Sequence, residues 1–482
     1  MTITAHRLVP PALQAAALTD PATLSAHALD AALGIPEPRD FTLVRARDTG
    51  DVVEALRWAA AERIPVVPQG ARTGLAGGAV PLEGGLALNL EAMATIEDVD
   101  EVEGLALVQA GVITSDLKAA ASGVGLHYGP DPASVAISTI GGNVATNAGG
   151  LCCLKYGATS DAIRALEVVL PGGEVIHTGH RTAKGVAGLD LTGLFVGSEG
   201  CLGVVTRVWA RLVPRPDDPT TVLATFPTLR EGCEAIVALR RERHRPNLLE
   251  IMDGPTVGAI RAYGEHVGSG DYGFPAGVQA ALLVQSDRPG HAAEDAARYA
   301  SVCADAGATS VSVSGSREES DTLMAGRRVI SPALDGLGHN LTEDMCVPVR
   351  HLAEFIERGY AVGERHGTRI VTAGHGGDGN LHPTVYFDPA DLDAVRRAHD
   401  AVTDLVDEAL RLGGTITGEH GVGILKSDWL ERELGTAEIE RQRGLKAFFD
   451  PLGIMNPGRV LWPATPMNAP APHRPSRDGM SA

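Results

Sequence analysis

Two short segments concentrate side chains able to bind a metal and move a proton. "GHGGDGNLHP" (374–383) places His375 and His382 seven residues apart, with Asp378 and Asn380 between them. "TGEHG" (417–421) adds Glu419 and His420. Glycine loses more backbone freedom on folding than any other residue, so a loop this rich in it is costly to order. A bound metal or substrate would offset that cost. Taken singly, each histidine is better explained as a hydrogen-bonded structural residue. Three such groups flanked by glycine instead suit a divalent transition metal such as zinc, with positions left for a substrate. In an extended segment Glu419 and His420 would point to opposite sides, and only one would reach the metal. In a tight turn at Gly418 or Gly421 both would.

Three other segments carry glycine in a different setting. "PQGARTGLAGG" (68–78) has Gly70, Gly74, Gly77 and Gly78 within eleven residues. Bare Cα atoms let successive backbone N–H groups converge on an anion. No Gly-Lys-Ser/Thr follows and the spacing is not G-x-G-x-x-G, which disfavours a Walker loop and a Rossmann nicotinamide site. Alone, this stretch fits a surface turn equally well. "GPDPASVAISTIGGNVATNAGGLCCLKYG" (129–157) and "FVGSEGCLGVVT" (195–206) add long runs of glycine, serine, threonine and asparagine. Such runs make a poor core, but they suit a groove for an extended dinucleotide.

In this order and spacing, the three segments resemble the FAD-binding domain shared by the vanillyl-alcohol oxidase and p-cresol methylhydroxylase flavoproteins. The resemblance implies FAD. It assigns the diphosphate loop to Pro68, Gly70, Ala71, Arg72, Thr73, Gly74, Leu75 and Gly78. It assigns the remaining contacts to Pro130, Ser134, Thr139, Ile140, Gly141, Gly142, Tyr156, Gly157, Glu199, Gly200, Gly203, Val204 and Asn456. Some members attach flavin through a histidine in the first loop. None stands there in this chain, so non-covalent FAD is expected.

The histidine segments and the closing "FDPLGIMNPGRVL" (449–461) resemble the D-2-hydroxy-acid dehydrogenase branch of the same flavoproteins. That branch includes D-lactate dehydrogenases, the glycolate oxidase flavoprotein subunit and D-2-hydroxyglutarate dehydrogenases. The likeness runs from about 35 to 461. It implies that His375, His382 and Glu419 bind a divalent metal, zinc being the expected one. It implies that His420 faces the substrate hydroxyl as the catalytic base. Arg327 in "MAGRRVISPAL" fits the arginine that grips the substrate carboxylate, with Arg328 its near competitor, and Ser331 and Asn380 complete the substrate set. The implied reaction is oxidation of a 2-hydroxy acid to the 2-oxo acid, with hydride passing to flavin. The chain departs from dicarboxylate-specific members, which carry lysine where Thr342 aligns and asparagine where Thr384 aligns. A small monocarboxylate such as D-lactate or glycolate is therefore favoured over D-2-hydroxyglutarate. Two other classes compete: a metal-dependent hydrolase, which leaves the glycine segments unexplained, and a non-catalytic FAD-binding subunit of a larger complex.

Several elements must position these groups. Apolar residues at helical spacing predict a helix over 51–63, followed by a short buried strand in "IPVVPQG". Strands are expected at 86–90 and 105–111, a hairpin at 165–179 turning at Pro171-Gly172-Gly173, and a long strand over 200–214. From 217 the order reads β-α-β-β-α-β, the ferredoxin-like pattern. Helices near 317–330, 350–366, 390–411 and 437–448 follow. The fold class expected is α+β: a two-part FAD-binding domain of the p-cresol methylhydroxylase type (37–216) and a ferredoxin-like cap with C-terminal helices (217–462). An N-terminal helical segment (1–36) precedes them. A proline-rich tail (463–482), expected to be disordered, follows.

The net charge of −19 argues against nucleic acid as a partner, and an anionic substrate would need local positive charge. The six cysteines form no C-x-x-C pair, so no iron–sulfur pattern supplies an electron exit. Electrons are expected to leave to quinone or a partner protein, and a homodimer or additional subunits fit that expectation. No secretory leader is recognisable and no apolar run approaches about 20 residues. The expected location is cytoplasmic, free or peripheral to a membrane.

Overall fold

The computed structural model of the protein describes residues 9–461. The tail expected at 463–482 and the first eight residues lie outside that range. The described part of the N-terminal segment is only partly helical. A 3-10 turn (Pro11–Leu13) and a helix (Pro21–His27) flank a strand, Ala17–Leu18, that pairs with Phe41–Arg45.

The half expected to bind flavin holds two larger sheets and a two-stranded one. The first has four strands in the order Ala17–Leu18, Phe41–Arg45, Gly85–Asn89, Val66–Gln69. The helix Thr49–Glu62 covers it, started by Asp48, whose side chain accepts from the Asp51 N–H. Val52, Ala55, Leu56 and Ala59 repeat at helical spacing and are buried against Val44, Val66, Leu86 and Leu88. The second sheet has five strands and contains the expected hairpin, Ile163–Val169 with Val175–Gly179, whose turn uses Gly173 at φ 80°. The long strand expected at 200–214 is shorter. It runs Val204–Arg211, because 200–203 form a turn with Gly200 at φ 71°, and Val213–Pro214 pairs separately with Leu126–His127.

The cap has one sheet. Its β-α-β-β-α-β unit is present, with the fourth, first, third and second strands side by side: Ser310–Val313, Thr220–Phe226, Ala280–Ser286, Leu248–Asp253. The sheet continues through Ile370–His375, Asn380–Tyr386 and Asn340–Thr342. The helices Leu229–Arg240, Ala292–Asp305, Leu352–His366 and Leu392–Arg411 bury one face. The last shows why it forms: Ala398, Ala401, Val402, Leu405, Val406 and Ala409 make one apolar stripe, and Asp391 caps its start. The helix expected near 317–330 is broken into Arg317–Leu323, Ala325–Arg328 and Ile330–Asp335. Within the second piece Gly326 lies so close to Phe274 that a Cβ would stand 2.5 Å from the ring. The helix Gly254–Val267, inserted between the second and third strands of the unit, was not expected from sequence.

The chain then returns to the flavin half. Met455 bridges to Val66, and Ile454 and Met455 join the first sheet's core.

Candidate active site

"GHGGDGNLHP" is not a loop but a hairpin. Ile370–His375 and Asn380–Tyr386 pair antiparallel, with His375 opposite Asn380 and Ala373 opposite His382. Its glycines are there for close packing. A Cβ at Gly376 would stand 2.7 Å from Ile236 Cδ1, and one at Gly377 2.6 Å from Leu154 Cδ2. Both contacts are nearer than a real Cβ allows.

His375 is buried and bonded on both sides. Its Nδ1 lies 2.6 Å from Glu250 Oε1 and its Nε2 3.1 Å from Glu419 Oε1. His382 Nε2 lies 3.4 Å from the same Glu419 oxygen. One ligand atom from each of His375, His382 and Glu419 falls within 4.8 Å of the others. Two imidazole nitrogens and a carboxylate oxygen at this spacing fit a divalent metal, and a carboxylate behind a ligating histidine fixes its ring. Burial disfavours the charged form of His375, but Glu250 and Glu419 outweigh it and hold its pKa well above the usual value.

Both Glu419 and His420 reach this centre. The His420 ring stacks on His382, with centroids 5.2 Å apart and planes at 11°. A tight turn brings them there, with Gly421 at φ 85°. The turn wraps around a carboxylate. Asp344 Oδ2 accepts from the Thr417 hydroxyl and from the backbone N–H groups of Gly418, Glu419 and His420, at 2.7–3.0 Å. Asp344 is fully buried, and burial alone would raise its pKa. Lys426, His420, His382 and the backbone donors instead hold it well below the carboxylate range. Burial pushes the His420 imidazole down to about 4.

Glu250 also accepts from Arg327 Nε at 2.5 Å. The Arg327 side chain has no other partner among the described residues, and the outer edge of its guanidinium is open. Arg328 is tied instead to Asp321 on the surface. Asn380 is buried with its Oδ1 lacking a partner. Ser331 is exposed and has no recorded bond to the histidine cluster. Thr342 and Thr384 face each other across paired strands, their hydroxyls 3.0 Å apart. Sequence reasoning missed Glu250, Asp344 and Lys426. The one signal for Glu250 was a carboxylate inside the apolar strand "NLLEIMD".

The three glycine segments meet along a cleft holding about 1140 Å³ of empty space, part of it open to solvent. Pro68, Gly70–Leu75, Gly78, Ser134, Thr139, Gly142, Glu199 and Gly200 line it, and so do Glu419 and His420. Gly141, Gly203 and Val204 line a smaller pocket contiguous with it through Pro68, Gly70 and Thr139. A Cβ at Gly74 would meet no protein atom, so the glycine leaves room where a side chain would stand. A cleft of this size, lined mostly by glycine, alanine, serine and threonine, fits an extended dinucleotide. Pro130, Ile140, Tyr156, Gly157 and Asn456 are not among these lining residues. Ile140 is in the core, Tyr156 bonds Asp287, and the Asn456 amide donates to the Gly78 and Glu199 carbonyls.

The second glycine segment also touches the His375–His382–Glu419 cluster. A Cβ at Gly149 would stand 2.7 Å from Glu419 Oε2 and 3.0 Å from its Cβ. Gly149→Ala should therefore displace Glu419 and lower metal content, measured by elemental analysis, in a protein that still folds. Undiminished metal would show that Glu419 is no ligand.

Comparison with known proteins places the chain in a family. The FAD binding domain family matches residues 42–179, and the family of FAD linked oxidases, C-terminal domain, matches 215–460. Glycolate oxidase subunit GlcD of Bacillus subtilis is 40% identical over 421 residues, 87% of this chain and 88% of that protein. D-lactate dehydrogenase of Archaeoglobus fulgidus is 35% identical over 427 residues, 88% and 91%. Crystalline p-cresol methylhydroxylase shares the fold with a TM-score of 0.72 at 17% identity, covering 93% of this chain and 94% of that one. The chain thus belongs to the FAD-linked oxidases, alongside glycolate oxidase subunits and D-lactate dehydrogenases, and is an oxidoreductase.

Proposed function

We propose that the protein oxidises a small D-2-hydroxy acid, D-lactate or glycolate in size, to the 2-oxo acid. The observation that carries this reading is that Glu419 and His420 line the same cleft as the flavin-binding glycine segments. A hydroxy acid between them would meet both halves of the chemistry.

The glycine segments would hold FAD without a covalent link, and it would supply the two-electron acceptor; His375, His382 and Glu419 would hold a divalent cation, which would supply positive charge to stabilise a forming alkoxide. His420 takes the hydroxyl proton on an imidazole nitrogen. Glu250 orients His375 through Nδ1 and Arg327 through Nε. The open edge of Arg327 binds the substrate carboxylate, a task that suits a planar guanidinium. Electrons leave to an acceptor outside the chain, a quinone or a partner protein. The relatives named as subunits support assembly with other chains. Among the described residues no helix is long and apolar enough to cross a membrane.

The Thr342–Thr384 pair favours a monocarboxylate, because two neutral hydroxyls bonded to each other offer a second carboxylate no charge. The expected result is a kcat/KM for D-lactate or glycolate at least tenfold above that for D-2-hydroxyglutarate, about the size of one charge-assisted contact. A preference for the dicarboxylate would reverse this part of the reading.

A further inference from the structure

The turn that carries Glu419 and His420 is held by two buried carboxylates, one from each half of the molecule. Asp344 of the cap takes the N–H groups of 418–420. Glu199, from the third glycine segment of the flavin half, takes the next part. Its Oε1 accepts from the Val422 N–H at 2.7 Å and its Oε2 from the Gly423 N–H at 2.9 Å. Both oxygens are thus engaged by protein, 223 and 224 residues along the chain.

The surroundings are built around this contact. Gly421 and Gly78 bracket the carboxylate: a Cβ on either would stand 3.1 Å from Oε1 or 3.3 Å from Oε2. Glu199 has φ 48°, a left-handed conformation that a residue with a side chain seldom adopts. Its own N–H donates to the Ala145 carbonyl and its carbonyl accepts from Asn456. The backbone is therefore fixed on both sides in the conformation that aims the carboxylate at the turn.

We propose that Glu199 is a positioning residue for proton transfer. It sets His420 against the flavin cleft by clamping the backbone two and three residues beyond it. This rests on the reading of His420 as the base, and it gives the Glu199 side chain a role beyond the FAD contact that the sequence resemblance implies for this residue. The clamp joins a flavin-half residue to a turn ordered by the cap, so the site is complete only where the halves meet.

The test compares wild type with Glu199→Gln, which keeps size but turns an N–H toward a backbone N–H. Gly421→Ala perturbs the same contact from the turn's side, should Glu199→Gln not fold. Three readouts are taken: FAD and metal content, amide hydrogen exchange, and anaerobic flavin reduction by D-lactate. The expected result is faster exchange confined to the 417–423 turn, with FAD retained. Flavin reduction should slow roughly tenfold to a hundredfold, the scale of a small misplacement of a reacting group, with substrate KM little changed. Exchange and reduction rate both at wild-type values would overturn the proposal. So would loss of FAD with the loaded fraction reacting at the wild-type rate, which would make Glu199 a cofactor ligand. A wild-type flavin that no hydroxy acid reduces would instead sink the functional reading, and the exchange result would still decide the clamp.

Discussion

His420→Ala should keep its FAD and its metal yet reduce flavin about a hundred to ten thousand times more slowly, the usual cost of losing a general base. Glu419→Gln, one residue away, should lose metal and turnover together. The distinction comes from geometry. Glu419 Oε1 lies within 3.4 Å of a nitrogen on each of His375 and His382, while His420 touches the centre by stacking on the His382 ring. Single-turnover flavin reduction, with metal content measured on the same samples, separates the two. A His420→Ala variant that reduces flavin at the wild-type rate would move the base elsewhere.

Glu250→Ala should be the most damaging single change. Glu250 is 1% exposed and shared between His375 and Arg327. Removing it leaves the Arg327 guanidinium with no carboxylate and leaves His375 with Glu419 alone. Breaking a buried pair in this way costs roughly 3–5 kcal/mol. Metal affinity should fall as well, because His375 loses the group that orients its ring. Arg327 loses its anchor, so substrate KM should rise in whatever fraction folds. Denaturant unfolding and metal content check the two effects. A variant with wild-type stability and metal would show that Glu250 is incidental.

Much of this site was legible in the sequence because its residues announce themselves by type and local company. His375 and His382 stand in a glycine-rich segment, and the flavin loops carry runs of glycine that no core would use. What hid was everything that depends on distance along the chain. Glu250 lies 125 residues before His375, in a strand whose pattern says only that it is buried. Asp344 has no neighbours in sequence that suggest a carboxylate wrapped by a turn some 75 residues later. Local grammar also misjudged the glycines at 376–377. They looked like a costly loop and prove to be contact points for Ile236 and Leu154, so packing rather than a ligand accounts for them. The tight turn at 417–421, left open by the sequence, is decided by Asp344, since three successive N–H groups converge on one oxygen only if the backbone curls.

The central claim is that a small D-2-hydroxy acid is oxidised where the flavin cleft meets the His375–His382–Glu419 cluster. The direct measurement is anaerobic mixing of the FAD-loaded protein with D-lactate, glycolate and L-lactate, following flavin absorbance. It is run before and after a chelator, and again after adding zinc back. The account predicts rapid bleaching by D-lactate or glycolate, little by L-lactate, loss of bleaching after chelation and recovery with zinc. Flavin that stays oxidised with every hydroxy acid in the metal-loaded protein would contradict it.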